Sequence, residues 1–573
     1  MIAFLAHNLA PIMFVGVMGL LLVGYPVAFT LAAGGLYFFV AGVELGQFAP
    51  DQITLDWPLL QANPSRILGV MSNETLLAVP FFTLMGTILE RSGMAEDLLD
   101  TVGQIFGGIR GGLAYAVILV GALLAATTGV VTASVIAMGL ISLPIMLRYG
   151  YNARLATGTV VGAGTLAQII PPSLVLIVMA DQLGQPVGDM YQGALLPSLL
   201  LVALYCLYVF VLTIVRPEMT PGLPPEARAF RGGGLSLLGL AGIGVAVWFF
   251  LDRAVLADLR DEVRLVWSAT LAAAAVYTST LVDRGARLGL LSALAQRVVL
   301  VLMPPLALIF LVLGTILLGV ATPTEAGAMG ALGALLLALA RRRLSLAALT
   351  QALDSATRLA AFAMFILIGA RVFGLTFYGV NGDVWIRELL LALPGGEHGF
   401  LLFVTVLVFI LGCFLDFFEI AFILVPLLAP VAAALGIDPV WFGVILGINL
   451  QASFLTPPFG FALFYLRSVA PGAEWTDRLT GRRMPPVRTG DIYRGVLPFI
   501  AIQIVVIALV IGIPGLVTHY KDEPPPGDPG AIGIELPPLG GGLGLPPLDQ
   551  PGGDGALPSG PPPELSKPPA VDR

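Results

Sequence analysis

The sequence predicts an all-α polytopic membrane protein of two inverted repeats, each holding a re-entrant hairpin and a broken helix, with about twelve crossings in all. Three observations predict this. Of 573 residues, 57% are hydrophobic and only 11% charged, with a mean hydropathy of +0.93. That balance belongs to helical membrane proteins rather than to soluble domains. A proline pair interrupts two membrane-length apolar segments, Pro171-Pro172 in one and Pro457-Pro458 in the other. Landmarks also recur at one displacement: Pro144, Gly150 and Pro171 return as Pro430, Gly436 and Pro457, each 286 residues later.

Proline has no amide to donate, so each pair frees helix carbonyls four residues back: Ala167 and Gln168 in one case, Ser453 and Phe454 in the other. Free carbonyls are tolerated at membrane depth only where they line a protected cavity. Matching breaks in two halves are the best sequence pointer to a transporter's binding site.

In chain order, apolar segments fall at 9–23, 26–44 and 75–90, followed by a hairpin at 112–147, a broken helix at 153–180 and a span at 190–215. These make a first repeat, 1–216. Segments 235–251 and 265–282 have no counterpart and belong to a linker, 217–297, whose even number of spans leaves orientation unchanged. The second repeat, 298–520, runs through 298–320, 322–340 and 358–380 to a hairpin at 399–435, a broken helix at 439–468 and a span at 495–516. Polar residues near residue 130 divide the first hairpin into arms of about 13–14 residues, about 20 Å of helix against about 30 Å of hydrocarbon. Such arms turn back rather than cross.

Charge orients the whole. With the N-terminus outside, Arg110, Arg148, Arg154, Arg216, Arg341, Arg342, Arg343, Arg482 and Arg483 fall inside, while Asp51, Asp56, Asp181, Asp189 and Asp383 fall outside. This obeys the positive-inside rule and places both termini in the periplasm of a bacterial inner (cytoplasmic) membrane. The first apolar stretch lacks a basic leader and is expected to be retained as a span. Residues 521–573 are rich in proline and glycine and are expected to be disordered. Cys206 and Cys413 sit in apolar runs as free thiols.

Candidate ligands cluster at the breaks. Sodium accepts neutral oxygen ligands from hydroxyls, amides and unwound backbone. The first hairpin tip offers Thr127, Thr128, Thr132 and Ser134, and the first break offers Gly164, Thr165 and Gln168. The second half offers Asp416 with Glu419 at its tip, and Asn449, Gln451, Ser453 and Thr456 at its break. Hydroxyls in membrane helices commonly bond back to their own carbonyls, a packing role that competes with this one. Asp416 carries more weight: an acid at membrane depth costs about 2.5–3.5 kcal/mol and usually faces a functional interior. Glu419 lies three residues further on. Glu325 is expected to cap the helix that follows it. The anion is assigned to the breaks themselves, Gln168, Pro171, Pro172, Pro457 and Pro458, with Arg371 as a candidate countercharge that could equally pair with an acid or snorkel outward.

Enzymatic chemistry finds no foothold. His7, His398 and His519 are isolated, which leaves no transition-metal cluster, and no glycine grouping has the spacing of an ATP-binding loop. Energy must then come from an ion gradient or a partner.

The run Gly-Thr-Leu-Ala-Gln-Ile-Ile-Pro-Pro-Ser at 164–173 resembles the large membrane (M) subunit of tripartite ATP-independent periplasmic (TRAP) transporters. So do Gly-Tyr-Pro at 24–26, Phe-Phe-Thr-Leu-Met-Gly at 81–86, Thr-Pro-Thr-Glu-Ala at 322–326 and Thr-Pro-Pro-Phe-Gly at 456–460. The resemblance covers about residues 8–216 and 298–518. It implies an elevator-type, sodium-driven symporter of small organic anions, chiefly carboxylates. It also implies a periplasmic solute-binding protein that delivers the solute and a small four-helix membrane subunit that braces the scaffold. Membrane lipids and the anion are the remaining partners; no nucleic acid and no cofactor beyond sodium is expected. A stand-alone carboxylate symporter driven by sodium or by protons through Asp416, and a channel or scaffolding membrane protein, are the alternatives.

Overall fold

The computed structural model describes residues 2–228, 234–257, 261–477 and 480–521. Those up to Lys521 form one compact, almost wholly helical unit. The tail expected to be disordered lies outside the described residues after Lys521.

Two helical pairs in the backbone match at the displacement read from the sequence. Hairpin 1 comprises helices Gly112–Thr128 and Val131–Arg148; hairpin 2 comprises Gly396–Leu411 and, after a break at 412–416, Phe417–Ala434. The return arms, 131–148 and 417–434, are displaced by the 286 residues read from the sequence. The turns that follow match as well. Gly150 and Gly436 take left-handed φ of 83° and 76°, where a side chain would be strained. Two residues on, Asn152 and Asp438 cap the next helices, Asn152 Oδ1 accepting Arg154 N–H and Asp438 Oδ1 accepting Val440 and Trp441 N–H, each at 2.9 Å.

Both proline pairs break their helices. Ala153–Thr165 tightens into a 3-10 turn at Leu166–Gln168 and restarts at Leu174–Leu183; Pro439–Phe454 stops and restarts at Phe461–Val469. Both Pro–Pro peptides are cis. These broken helices are the core of the molecule. Residues 155–169 and 440–455 are buried without exception, as expected of helices that are apolar on every face. Each hairpin leans on the other repeat: the return arm of hairpin 1 packs against Phe461–Val469, and that of hairpin 2 against Leu174–Leu183.

The arms are longer than the sequence suggests. They span 17 and 18 residues in hairpin 1, because the threonines and serine read as an unwound tip are helical and only Gly129 and Val130 interrupt the backbone. At about 1.5 Å per residue the return arm reaches about 27 Å, so length alone no longer excludes a crossing.

Ten helices among the described residues are long and apolar enough to cross a membrane, or up to eleven if the pair Gly382–Leu391 and Gly396–Leu411, bent by 115°, counts as one span. The count of twelve differs for a physical reason. It includes both broken helices and the 14-residue helices Leu9–Leu22 and Ala78–Arg91, and it omits the hairpin return arms, which satisfy the length criterion.

Outside the core stand the longer scaffold helices, among them Val27–Leu45 and Leu346–Gly379, which cross at Gly35 and Gly369. Thr376 Oγ1 donates to Gly35 O at 2.8 Å across this contact. Glu325 does cap its helix: Oε2 accepts Thr322 N–H at 2.8 Å while Thr322 Oγ1 accepts Glu325 N–H. The two uncounterparted helices, Gly234–Phe250 and Asp261–Ala286, rest on Ala293–Leu317 through Leu240, Val276, Ala295 and Val299. Asp283 fixes that seat by accepting Leu290 N–H, Leu291 N–H and Gln296 Nε2 at 2.8–3.2 Å.

Candidate functional site

The two breaks meet at the centre of the unit. Gln451 Nε2 lies 3.5 Å from Thr165 Oγ1, and these residues are 286 apart in sequence. Residues related by a repeat touch each other only on the axis relating the halves. The Thr165–Gln451 contact therefore marks that axis, and both breaks flank it.

Each hairpin tip is seated against the break of its own repeat, and glycine permits the approach. A Cβ at Gly164 would fall 2.6 Å from Val135 Cγ2 and 3.0 Å from Val135 Cα, so the return arm of hairpin 1 lies directly on the broken helix. At the tip itself, a Cβ at Gly129 would stand 3.2 Å from Leu174 N, where the helix restarts. In hairpin 2, Gly412 touches Ser453 closely enough that a Cβ would overlap its hydroxyl. Four helices begin around these points: Val131, Leu174, Phe417 and Phe461 are their first residues. A positive helix end favours an anion beside it by about 0.3–1 kcal/mol.

The polar atoms divide into two kinds. The hydroxyls of Thr127, Thr165, Ser453 and Thr456 donate to their own helices, at Leu124, Gly162, Leu450 and Ala452 O, over 2.8–3.0 Å. That is the packing geometry, and it still leaves each oxygen free to accept. The carboxamides differ. Gln168 has neither its Oε1 nor its Nε2 paired, and Asn449 Oδ1 and Gln451 Oε1 are unpaired, although all three residues are 0% exposed. Buried amide oxygens without a donor are costly and call for a partner. Thr405, on the first arm of hairpin 2, joins this group: its hydroxyl is buried and unpaired, and its carbonyl accepts Asn449 Nδ2 at 2.8 Å. A threonine inside an apolar arm gives no sequence signal to single it out.

The freed carbonyls are partly recaptured. Ser173 Oγ donates to Gln168 O at 2.7 Å, and Thr456 N to Ser453 O at 3.0 Å. Ser134 is buried in the return arm; the side chain of Thr128 lies outside the described residues. Tyr465, from the helix that follows the second break, stands beside Thr132 and within electrostatic reach of Asp416, so one phenol adjoins both hairpin tips.

Asp416 and Glu419 form a helix cap. Asp416 is the N-cap of the return arm of hairpin 2, and Glu419 Oε2 accepts its N–H at 2.9 Å. Glu419 is thus occupied structurally. Asp416, half-buried, keeps its carboxylate at the tip. Pro171 and Pro172 are buried, whereas Pro457 is half-buried and Pro458 exposed. Arg371 is not gathered with them: it lies on the exposed face of Leu346–Gly379, with no hydrogen bond or ion pair among the described residues. The apolar context that drew attention to it is an exposed helix surface.

Unwound backbone with unsatisfied buried oxygens, set among membrane-length apolar helices, is the pattern of a transporter permease. The chain belongs to the DctM family: the model of the DctM component of tripartite ATP-independent periplasmic transporters matches residues 14–516. It is 29% identical over 474 residues to the C4-dicarboxylate TRAP transporter large permease protein DctM of Pseudomonas aeruginosa, covering 82% of this chain and 90% of that one. It is 25% identical over 516 residues to the ectoine TRAP transporter large permease protein TeaC of Halomonas elongata, covering 89% and 98%. A third relative, the isethionate TRAP transporter permease protein DctMQ of Oleidesulfovibrio alaskensis, is 25% identical over 502 residues, 87% of this chain and 64% of that one. Among solved structures, the YdaH transporter of Alcanivorax borkumensis shares the fold, with a TM-score of 0.50 and 16% identity over 84% of this chain and 98% of its own. Large permeases of this family work with a small membrane subunit and a periplasmic binding protein.

Proposed function

We propose that this permease subunit imports a small organic anion, most simply a carboxylate, by coupling it to inward sodium flow in an elevator-type cycle. A periplasmic binding protein delivers the anion and a separate small subunit braces the scaffold. Both hairpins are re-entrant in this reading, and the arginine-rich face of the chain is cytoplasmic. The observation that carries it is the set of buried, donorless oxygens on Gln168, Asn449 and Gln451 around the Thr165–Gln451 contact. Carboxamide oxygens, hydroxyl oxygens whose protons are given to their own helices, and freed carbonyls make a neutral hard-oxygen set suited to a monovalent cation. The anion's countercharge comes from that cation and the converging helix starts, Arg371 being turned away. Relatives named for a C4-dicarboxylate, ectoine, isethionate and sialic acid share one permease family. The solute is accordingly chosen by the binding protein.

The test is uptake into proteoliposomes holding this chain, its small subunit and its binding protein, with a candidate carboxylate. Uptake should follow an imposed sodium gradient and vanish without the binding protein. Equal uptake on a proton gradient alone overturns the sodium reading, and uptake by the chain alone overturns the tripartite one.

A further inference from the structure

We infer that Arg148 and Asp477 are positioning residues that lock the return arm of hairpin 1 to the ribbon that follows the second broken helix, so that this hairpin opens locally less readily than hairpin 2. Arg148 is the last residue of the return arm of hairpin 1. Its Nε donates to both Asp477 carboxylate oxygens at 2.9 Å and its Nη2 to Oδ1 at 2.7 Å, a forked, two-point contact. The two side chains are 15% and 1% exposed, so water does little to screen or replace the pair. Asp477 is saturated further by Thr480, whose N–H donates at 2.9 Å and whose hydroxyl also donates.

The partner of Arg148 is itself held. Asp477 follows strand β1 (Trp475–Thr476), which pairs antiparallel with β2 (Arg483–Met484), Trp475 opposite Met484. Asp477 N donates to Arg482 O at 2.9 Å and receives Gly481 N–H at 2.9 Å on its own carbonyl. Arg467, on the helix that follows the second break, donates Nη1 to Val487 O at 2.8 Å, and Val487 N donates to Pro471 O at 2.9 Å. The ribbon is thereby fastened to the second repeat's broken helix at the same end of the unit. Above it, Gly139 of the return arm lies against Leu466 and Val469, with Cβ space of only 2.8–2.9 Å. Apolar contact and ion pair together leave the arm no free edge on that side.

The mirrored positions hold nothing similar. Residue 434, which corresponds to Arg148, is an alanine. Residue 191, which corresponds to Asp477, is Tyr191 inside helix Val187–Val215; the first repeat passes from its broken helix to the next helix without a ribbon. At the matching end of hairpin 2 an ion pair does occur, Lys521 with Asp438, but it lies in the turn beyond the return arm and its side chains are 33% and 29% exposed. The forked, buried lock belongs to hairpin 1, and this asymmetry gives the two hairpins different freedom.

Hydrogen exchange on the reconstituted full chain tests this directly. In Asp477→Asn, amides of 131–148 should exchange at least about tenfold faster while those of 417–434 are unchanged, because the opening is local. The swap Arg148→Asp with Asp477→Arg should return the rate towards that of the parent. Unchanged exchange in Asp477→Asn, equal acceleration in both hairpins, or failure of the swap to rescue would overturn the lock. The transport arm rests on the sodium reading: Asp477→Asn should raise the sodium concentration for half-maximal uptake about fivefold, a mis-seating penalty near 1 kcal/mol, with a smaller effect on maximal rate. A parent protein indifferent to sodium would remove that reading and leave the exchange result to decide the lock.

Discussion

Hairpin 1 and hairpin 2 share a displacement of 286 residues and a packing scheme, yet their chemistry and surroundings differ at every polar position. The first turns over two residues, Gly129 and Val130, between regular arms, and offers neutral hydroxyls. The second turns over residues 412–416, caps its return arm with two acids, and passes through a π-helical turn at Ile420–Leu424. Such π turns are commonly found at functional sites. The first break is sealed, with both prolines buried. At the second, Pro458 is exposed and Phe459 is 49% exposed, its ring 4.9 Å from Phe414 of the hairpin 2 tip. The backbones match, and the difference lies in side chains and exposure: the first break is closed over and the second open at its prolines.

The comparison breaks most sharply at the glycines. Gly164→Val forces the broken helix off Val135 and should lower uptake more than about 100-fold, since overpacking at this contact displaces the tip by about an ångström. Gly412→Val, which meets a single flexible hydroxyl first, should cost less. If the two variants, inserted in the membrane at equal level, lose equally, the hairpins are equivalent. Next in size, Gln168→Ala and Asp416→Asn should each reduce sodium-driven uptake about tenfold, near 1.4 kcal/mol, the scale of a hydrogen bond to a charged group. Full activity in both removes the first break and the hairpin 2 tip from the site. The smallest effect concerns pH. The Arg148 guanidinium, with Thr480, holds the Asp477 carboxyl at about 2, below its ordinary 3.8. A depressed carboxyl contributes stability that is complete above its unfolded value and is lost as pH falls through the folded one. Exchange in 131–148 should therefore be flat from pH 8 to about 5, after correction for intrinsic rates, and should rise progressively as pH falls from about 4 towards 2.

Much of this frame was legible in the chain. Proline pairs declare themselves because no unbroken helix accepts them, and the 286-residue displacement could be read from prolines and glycines whose backbone roles are fixed. Hairpin length was harder: Thr127 and Thr132 look like tip residues, yet a hydroxyl that donates to its own helix, as in Thr127, lets the helix continue. Arg371 stayed open between countercharge and surface because one sequence cannot tell an inward from an outward charge on a helix buried on one face only. Thr405 was invisible for the opposite reason, as its importance lies in what fails to pair with it. The Arg148–Asp477 contact spans 329 residues, and nothing local in either segment announces the other. Glu419 could have been foreseen: an acid three residues after an N-cap aspartate is a helix-start signature.

The Thr165–Gln451 contact has one more consequence. With threonine on one side and glutamine on the other, the two partners are chemically unlike, one offering a hydroxyl and the other a carboxamide, so the two breaks cannot exchange roles at this point without a change in hydrogen bonding.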